Sequence, residues 1–161
     1  MWPSACGTMR LDIYAFLENP GKHLPIDTRL DPGQQTRAPD EIRFIGGIEL
    51  TGEAFAQLGT LYVSAQVKTT IERSCRRCLA PVREDIDLSE RLSVEIPEGK
   101  IEVDLAPHIL ASITAALTPH PLCRPNCRGL CPVCGTDLNE HPEHACETQS
   151  RDHLRLGDFL K

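Results

Sequence analysis

Cys123-Arg-Pro-Asn-Cys127-Arg-Gly-Leu-Cys131-Pro-Val-Cys134-Gly135 places four thiols within twelve residues and ends in a C-P-x-C-G knuckle. A second pair, Cys75-Arg76-Arg77-Cys78, lies far upstream, and His144-Ala145-Cys146 lies just downstream. Two C-x2-C pairs on opposite sides of a domain are the usual way to build a tetrahedral zinc site. A two-residue gap lets both sulfurs face one metal. The proline stiffens the turn, and Gly135 supplies a left-handed position from which backbone N–H groups reach a thiolate.

Working outward, Thr60 to Ile71 alternates strictly, with Leu61, Val63, Ala65, Val67, Thr69 and Ile71 on one face, which predicts a strand. Val82 to Ile96 alternates again. Cys75 and Cys78 therefore fall at the tip of a long β-hairpin, a rigid base for a metal knuckle. Ile42 to Leu50 reads as a strand bent at Gly46-Gly47. Residues 10–18 fit either a strand or a short helix, and residues 22–41, with three prolines and little periodicity, read as loop. Ile101 to Leu105 is short and extended. Ala106 to Leu117 reads as a helix, with Pro107 in its first turn and Pro119 beyond its end. The expected fold is α+β: an antiparallel, barrel-like sheet core with a long hairpin, one main helix and a C-terminal zinc-knuckle lobe. The expected division is a disordered N-terminal extension (1–9), a core domain (10–118), and a Cys-rich lobe with a C-terminal helix (119–161).

The chain has 161 residues, a net charge of -6, 40% apolar residues and 4% aromatics. So few aromatics weaken any model based on stacking single-stranded bases. The acidic balance argues against indiscriminate coating of nucleic acid. Charge is uneven, however. Arg73, Arg76, Arg77 and Arg83 surround the first thiol pair, Arg124 and Arg128 lie within the second group, and Glu84 to Asp104 is acidic. Arginines beside a thiolate-bound metal compensate its negative charge; Arg73, Arg76 and Arg77 are also the candidates for RNA contact. The N-terminus has no export-signal pattern, and no apolar run is long enough to span a bilayer. Eight cysteines at knuckle spacing then predict thiolate ligands in a reducing cytoplasm rather than disulfides.

The candidate metal ligands are Cys75, Cys78, Cys123, Cys127, Cys131, Cys134, His144 and Cys146, for one or two zinc ions; Cys6 stands apart. Three partitions are open. Cys75 and Cys78 can join Cys123 and Cys127, leaving Cys131, Cys134, His144 and Cys146 as a second site. The four thiols between 123 and 134 can form one local site. The two C-x2-C pairs, 75/78 and 131/134, can combine as in a zinc ribbon. The first uses every thiol but Cys6 and ties the hairpin to the lobe. His141 is close enough in sequence to replace His144, and buried free cysteines are the bland alternative. The chain carries no Gly-rich phosphate loop, no H-E-x-x-H and no nucleophile elbow, and a metal held by four protein ligands has no open position for water. No catalytic residue and no small-molecule substrate are expected.

The hairpin bearing Cys75-Arg76-Arg77-Cys78-Leu79, the acidic strand after it, and Pro121-Leu122-Cys123 through Asn139 resemble the YceD family of large ribosomal RNA subunit accumulation proteins, over roughly residues 10–161. The resemblance implies a cytoplasmic, non-enzymatic factor needed for normal amounts of large-subunit ribosomal RNA. Its partner would be precursor RNA or a basic ribosomal protein, with strand 82–104 offering carboxylates to the latter. The rival expectation is a thiol-based redox or zinc-sensing protein using Cys75 and Cys78, because cationic neighbours depress thiol pKa values.

Overall fold

The computed structural model describes residues 9–31 and 42–146. Residues 1–8 of the expected extension and the expected C-terminal helix beyond residue 146 lie outside them. Met9 is in the core, 1% exposed.

The strongest alternation in the sequence forms the backbone of the fold. β5 (Thr60–Ser74) and β6 (Pro81–Glu95) pair antiparallel along their whole length, from Thr60 opposite Glu95 to Ser74 opposite Pro81. The period of two puts Leu61, Val63, Val67 and Ile71 on one buried face. β4 (Ile48–Gln57) runs along the other side of β5, with Glu49 opposite Lys68 and Gln57 opposite Thr60. β3 (Arg43–Phe44) continues that same lane, opposite Glu72 and Ile71. The expected single strand from Ile42 to Leu50 is thus one lane interrupted at Gly46-Gly47, where Gly46 has φ +97°.

β2 (Leu24–Leu30) closes the outer side of β4, pairing Leu24 with Ala54 and Leu30 with Ile48. The sequence reading of 22–41 as loop missed this strand. Ile26 and Leu30 are buried, but Pro25 and the charges between them mask the alternation. Pro25 is tolerated because β2 is an edge, where a missing N–H is harmless. The two edges, β2 and β6, do not pair with each other among the described residues, so the sheet is open and the barrel-like expectation is corrected. So few lanes leave the sheet too narrow to close on itself, and one face is instead covered by helices while the other is solvated.

Residues 10–18 satisfy both alternatives. β1 (Arg10–Asp12) pairs with β7 (Glu102–Asp104), and α1 (Tyr14–Glu18) follows at once, its Tyr14 N–H bonded to the Asp12 carboxylate at 2.8 Å. The Asp104 carboxylate accepts the N–H groups of Met9 and Ala106, each at 3.0 Å, and so joins the small sheet to the start of α2 (Ala106–Ala116). Ile109 and Ile113 of α2, Ile13 and Phe16 around α1, and the inner residues of β2, β4 and β5 form one apolar core. Each large side chain buried there contributes about 1.5–3 kcal/mol.

Gly52 lies at the centre of this sheet, opposite Ala65. A Cβ at this position would fall 2.6 Å from Ala65 Cα and collide with the Ser64 carbonyl oxygen. Gly52→Val is therefore expected to destabilise the protein by about 2 kcal/mol or more, despite the better strand propensity of valine. A denaturant midpoint equal to or above that of the parent protein would contradict this packing.

Candidate metal centre

The β5–β6 hairpin ends in a tight turn that carries the first thiol pair. Cys75 N–H donates to the Ala80 carbonyl at 2.7 Å and Leu79 N–H to the Cys75 carbonyl at 2.9 Å. Leu79 takes the left-handed conformation, φ +62°, where the second knuckle has Gly135 at +79°. Leucine is disfavoured there, and Leu79 is also 64% exposed.

The chain leaving α2 returns to this tip. Arg76 N–H donates to the Pro121 carbonyl at 2.9 Å, and Leu130 N–H to the Arg77 carbonyl at 3.1 Å. Cys75, Cys78, Cys123 and Cys127 thereby converge, with all four sulfurs within 4.8 Å of one another. Cys131, Cys134, His144 and Cys146 form a second group within the same limit. Of the three partitions open to sequence reasoning, the geometry has the one that joins hairpin to lobe. His141 stays exposed outside the second group, and its N–H donates to the Asp137 carbonyl. Cys6 lies outside the described residues.

Both groups fit a metal. A tetrahedral zinc–thiolate distance of about 2.3 Å requires sulfur–sulfur edges of about 3.8 Å. Cys75 and Cys127 sulfurs are 3.8 Å apart, Cys78 and Cys123 sulfurs 3.5 Å, and Cys134 Sγ is 3.2 Å from His144 Nε2. The chain thus has two Cys/His clusters capable of coordinating a metal ion, one of four sulfurs and one of three sulfurs and an imidazole.

The electrostatics of each cluster ask for a cation. Burial opposes ionisation of Cys75, but the N–H groups of Cys78, Cys123 and Arg77 outweigh it and hold the thiol down to about 6. Cys123, hydrogen-bonded to Cys78 and partly desolvated, is pushed up to about 12. In the second cluster the Thr136 hydroxyl and N–H hold Cys134 down to about 6, while the bond to Cys134 pushes Cys146 up to about 11. Four closely packed thiols cannot all ionise without a counter-charge, and a bound dication supplies it, releasing protons as it binds.

Asn139 was not singled out from sequence, although it ends the L-N motif. Its side-chain NH2 reaches Cys127 Sγ at 3.4 Å, and its Oδ1 accepts the Arg128 N–H at 2.8 Å. It therefore orients a first-cluster thiolate from the chain that leads to the second cluster.

The arginines separate into two groups. Arg73 is withdrawn from the surface, which corrects its assignment as an RNA contact. It sits on the inner face of β5, its side chain 6% exposed, bonded to Glu84 at 2.6 Å and to the Thr118 carbonyl at 2.9 Å. Thr118 Oγ1 donates to the other Glu84 oxygen at 2.9 Å. Arg76 and Arg77 remain exposed, and Arg77 donates to the Cys127 carbonyl at 2.8 Å.

This architecture defines a class: an α+β protein whose longest hairpin is joined to a cysteine-rich lobe by shared thiol ligands. Residues 89–160 match the family described as Large ribosomal RNA subunit accumulation protein YceD. The match begins within β6 and takes in the whole second cluster but only Cys123 and Cys127 of the first. A match to this family is consistent with an accessory, non-catalytic role.

The chain is also 34% identical over 73 residues to the Large ribosomal RNA subunit accumulation protein YCED homolog 1, chloroplastic, of Zea mays, an alignment covering 45% of this chain and 24% of that protein. It is 30% identical over 113 residues to proteins described as uncharacterized in Mycobacterium tuberculosis (strain ATCC 25618 / H37Rv) and Mycobacterium bovis, covering 61% of this chain and 55% of each. The chain thus spans about half the length of these mycobacterial relatives. No solved structure matches it. Among the described residues, no helix is long and apolar enough to cross a membrane.

Elemental analysis of protein purified without chelator is expected to give two zinc ions per chain, falling to one in Cys78→Ser and to one in Cys134→Ser. Loss of both ions from Cys134→Ser would show that the clusters are not independent.

The Arg73–Glu84 pair has its own signature. Burial alone would raise the Glu84 carboxyl, but hydrogen bonds from Arg73 and Thr118 outweigh it and hold it below its usual value. Its stabilisation is therefore present above the unfolded carboxyl value of about 4.3 and is lost as pH falls through the lower folded value. Glu84→Gln is expected to cost about 2–3 kcal/mol at neutral pH. The gap between parent and variant should shrink on acidification, which cancels metal loss common to both; a gap independent of pH would argue against the ion pair.

Proposed function

We propose that this protein is a non-enzymatic, zinc-binding factor that assists large ribosomal subunit biogenesis in the cytoplasm, and that it meets precursor large-subunit RNA through its metal end. In this reading residues 10–118 are the scaffold and residues from 119 onward the working lobe. The family description and the name of the maize relative support the ribosomal context.

The observation that favours RNA over a basic protein is the distribution of ion pairs. On the sheet most cations lie beside a carboxylate: Arg29 by Glu49, Lys68 by Asp87, and both Arg43 and Arg83 by the single Glu72, while Arg91 has no carboxylate partner among the described residues. At the metal end, Arg76, Arg77, Arg124 and Arg128 are exposed, and none pairs with a carboxylate among the described residues. Arg77 and Arg128 donate to backbone carbonyls instead, which positions them without neutralising them. Such a face suits phosphate oxygens. The thiolate clusters compensate part of this charge, so the face is suited to a few directed contacts rather than to coating RNA.

Near the metal end the acidic strand is a poor docking surface for a basic partner, because its carboxylates there are engaged, whereas Glu90 and Glu95 farther along β6 have no cationic partner among the described residues. Glu84 holds Arg73, Asp85 accepts from Thr70 Oγ1 at 2.7 Å, and Asp87 is bonded by Gln66 and Lys68. The redox reading is likewise disfavoured. Cys75 is fully buried and Cys78 nearly so, inside a four-sulfur cluster, whereas reactive thiols are accessible.

Arg76→Ala with Arg124→Ala is expected to weaken binding to a large-subunit RNA fragment and to reduce the slope of log affinity against log salt by about 1.4–1.8. Asp85→Asn with Asp87→Asn should leave both unchanged. An effect confined to the aspartate pair would favour a protein partner.

A further inference from the structure

The two clusters draw on the same ligand chemistry but are built into the chain differently. The first takes two ligands from the hairpin tip and two from the lobe. Cys75, Cys78 and Cys127 are buried, and Ala80, Val82, Leu122 and Leu130 pack around them. Both halves are fixed by backbone bonds that do not depend on metal, including Arg76 N–H to Pro121 O and Leu130 N–H to Arg77 O. The Arg77 guanidinium and the Asn139 amide add a bond each at Cys127.

The second cluster has one rigid half. Cys131 is buried, and its knuckle is closed by Cys131 N–H to Thr136 O at 2.8 Å and Gly135 N–H to Cys131 O at 2.9 Å. The other half, residues 140–146, belongs to no strand or helix and does not join the apolar clusters. Among the described residues its anchors are two turn bonds, His141 N–H to Asp137 O and His144 N–H to His141 O at 3.0 Å each, the Arg128 bond to Pro142 O at 2.8 Å, and the His144 ring itself against Cys134. Cys134 is exposed and Cys146 half-buried.

We propose that the second cluster is an exchangeable zinc site, and that its metal orders the 140–146 arm while the first metal holds hairpin and lobe together. Displacing a metal requires an incoming ligand to reach it as a protein ligand swings away. At the first cluster three of the four ligands are buried, only Cys123 being exposed, and the hairpin and lobe segments that carry them are held together by other backbone bonds. At the second, Cys134 is open to the incoming ligand, and the His144–Cys146 arm has little else to retain it. Zinc loss there frees the arm and, with it, the acceptor that holds the Arg128 side chain. Metal availability would thus adjust one edge of the lobe without unfolding the scaffold. This inference rests on the metal reading of the clusters and is independent of the ribosomal one.

The test uses the whole two-zinc protein, mixed with a chromophoric zinc chelator in excess. Release is expected in two phases of one equivalent each, separated by about tenfold or more in rate. Cys146→Ser should lack the fast phase and keep the slow one. Native mass spectrometry after the fast phase should find one zinc, and hydrogen exchange should then rise in peptides from 137–146 while those from 72–82 stay protected. A single phase releasing both ions, a fast phase that survives in Cys146→Ser, or first deprotection at 72–82 would each overturn the proposal. Protein that binds no zinc at all would overturn the metal reading with it.

Discussion

The tie between the hairpin tip and the returning chain is the constraint on which the rest of the structure depends. β5 and β6 extend well beyond β4, and past the short β3 no other strand of the described residues lies beside their far end. There the inner face carries Arg73, Glu84 and Cys75 beside Val82. Three interactions fix that end: the buried ion pair closed by Thr118, the backbone bonds of Arg76 and Arg77 with Pro121 and Leu130, and the four converging sulfurs. Removing the sulfurs would leave a two-stranded ribbon ending in a cation, a carboxylate and unsupported turns, and isolated hairpins of this kind are marginally stable at best.

The same constraint distributes function. Most cations on the solvated sheet face lie beside a carboxylate. At the metal end, backbone carbonyls of Cys127 and Pro142 take the acceptor roles for Arg77 and Arg128 that carboxylates fill elsewhere. These two arginines keep their charge and gain fixed positions. A left-handed, exposed Leu79 at the tip adds an apolar point among them, in a conformation that leucine adopts only when its surroundings demand it. Structural metal sites and a directed cationic surface are thus two consequences of one chain crossing.

Much of this was legible in the sequence because it is local. Alternation over Thr60–Ile71 and Val82–Ile96 marked the hairpin, Pro107 and Pro119 bracketed the helix, and Gly46-Gly47 marked the break between β3 and β4. β2 was not legible. Its partner β4 begins eighteen residues beyond Leu30, and its two core residues, Ile26 and Leu30, sit among a proline and charges that resemble a loop when no partner strand is in view. Arg73 misled for a related reason. An arginine next to a thiol pair reads as surface until β6 sets Glu84 within reach and the chain after α2 brings Thr118.

What the sequence determined by itself was therefore the set of ligand atoms, their spacing into knuckles, and the elements that carry them, because each depends on residues close together along the chain. Only the tertiary structure decided which thiols share a site, which arginines are free, and whether the sheet closes. Those outcomes depend on distances between segments some 40 to 50 residues apart, such as Cys78 with Cys123 and Arg73 with Thr118. Sequence spacing gives no measure of such distances; the register of β5 against β6 and the path of the chain out of α2 set them.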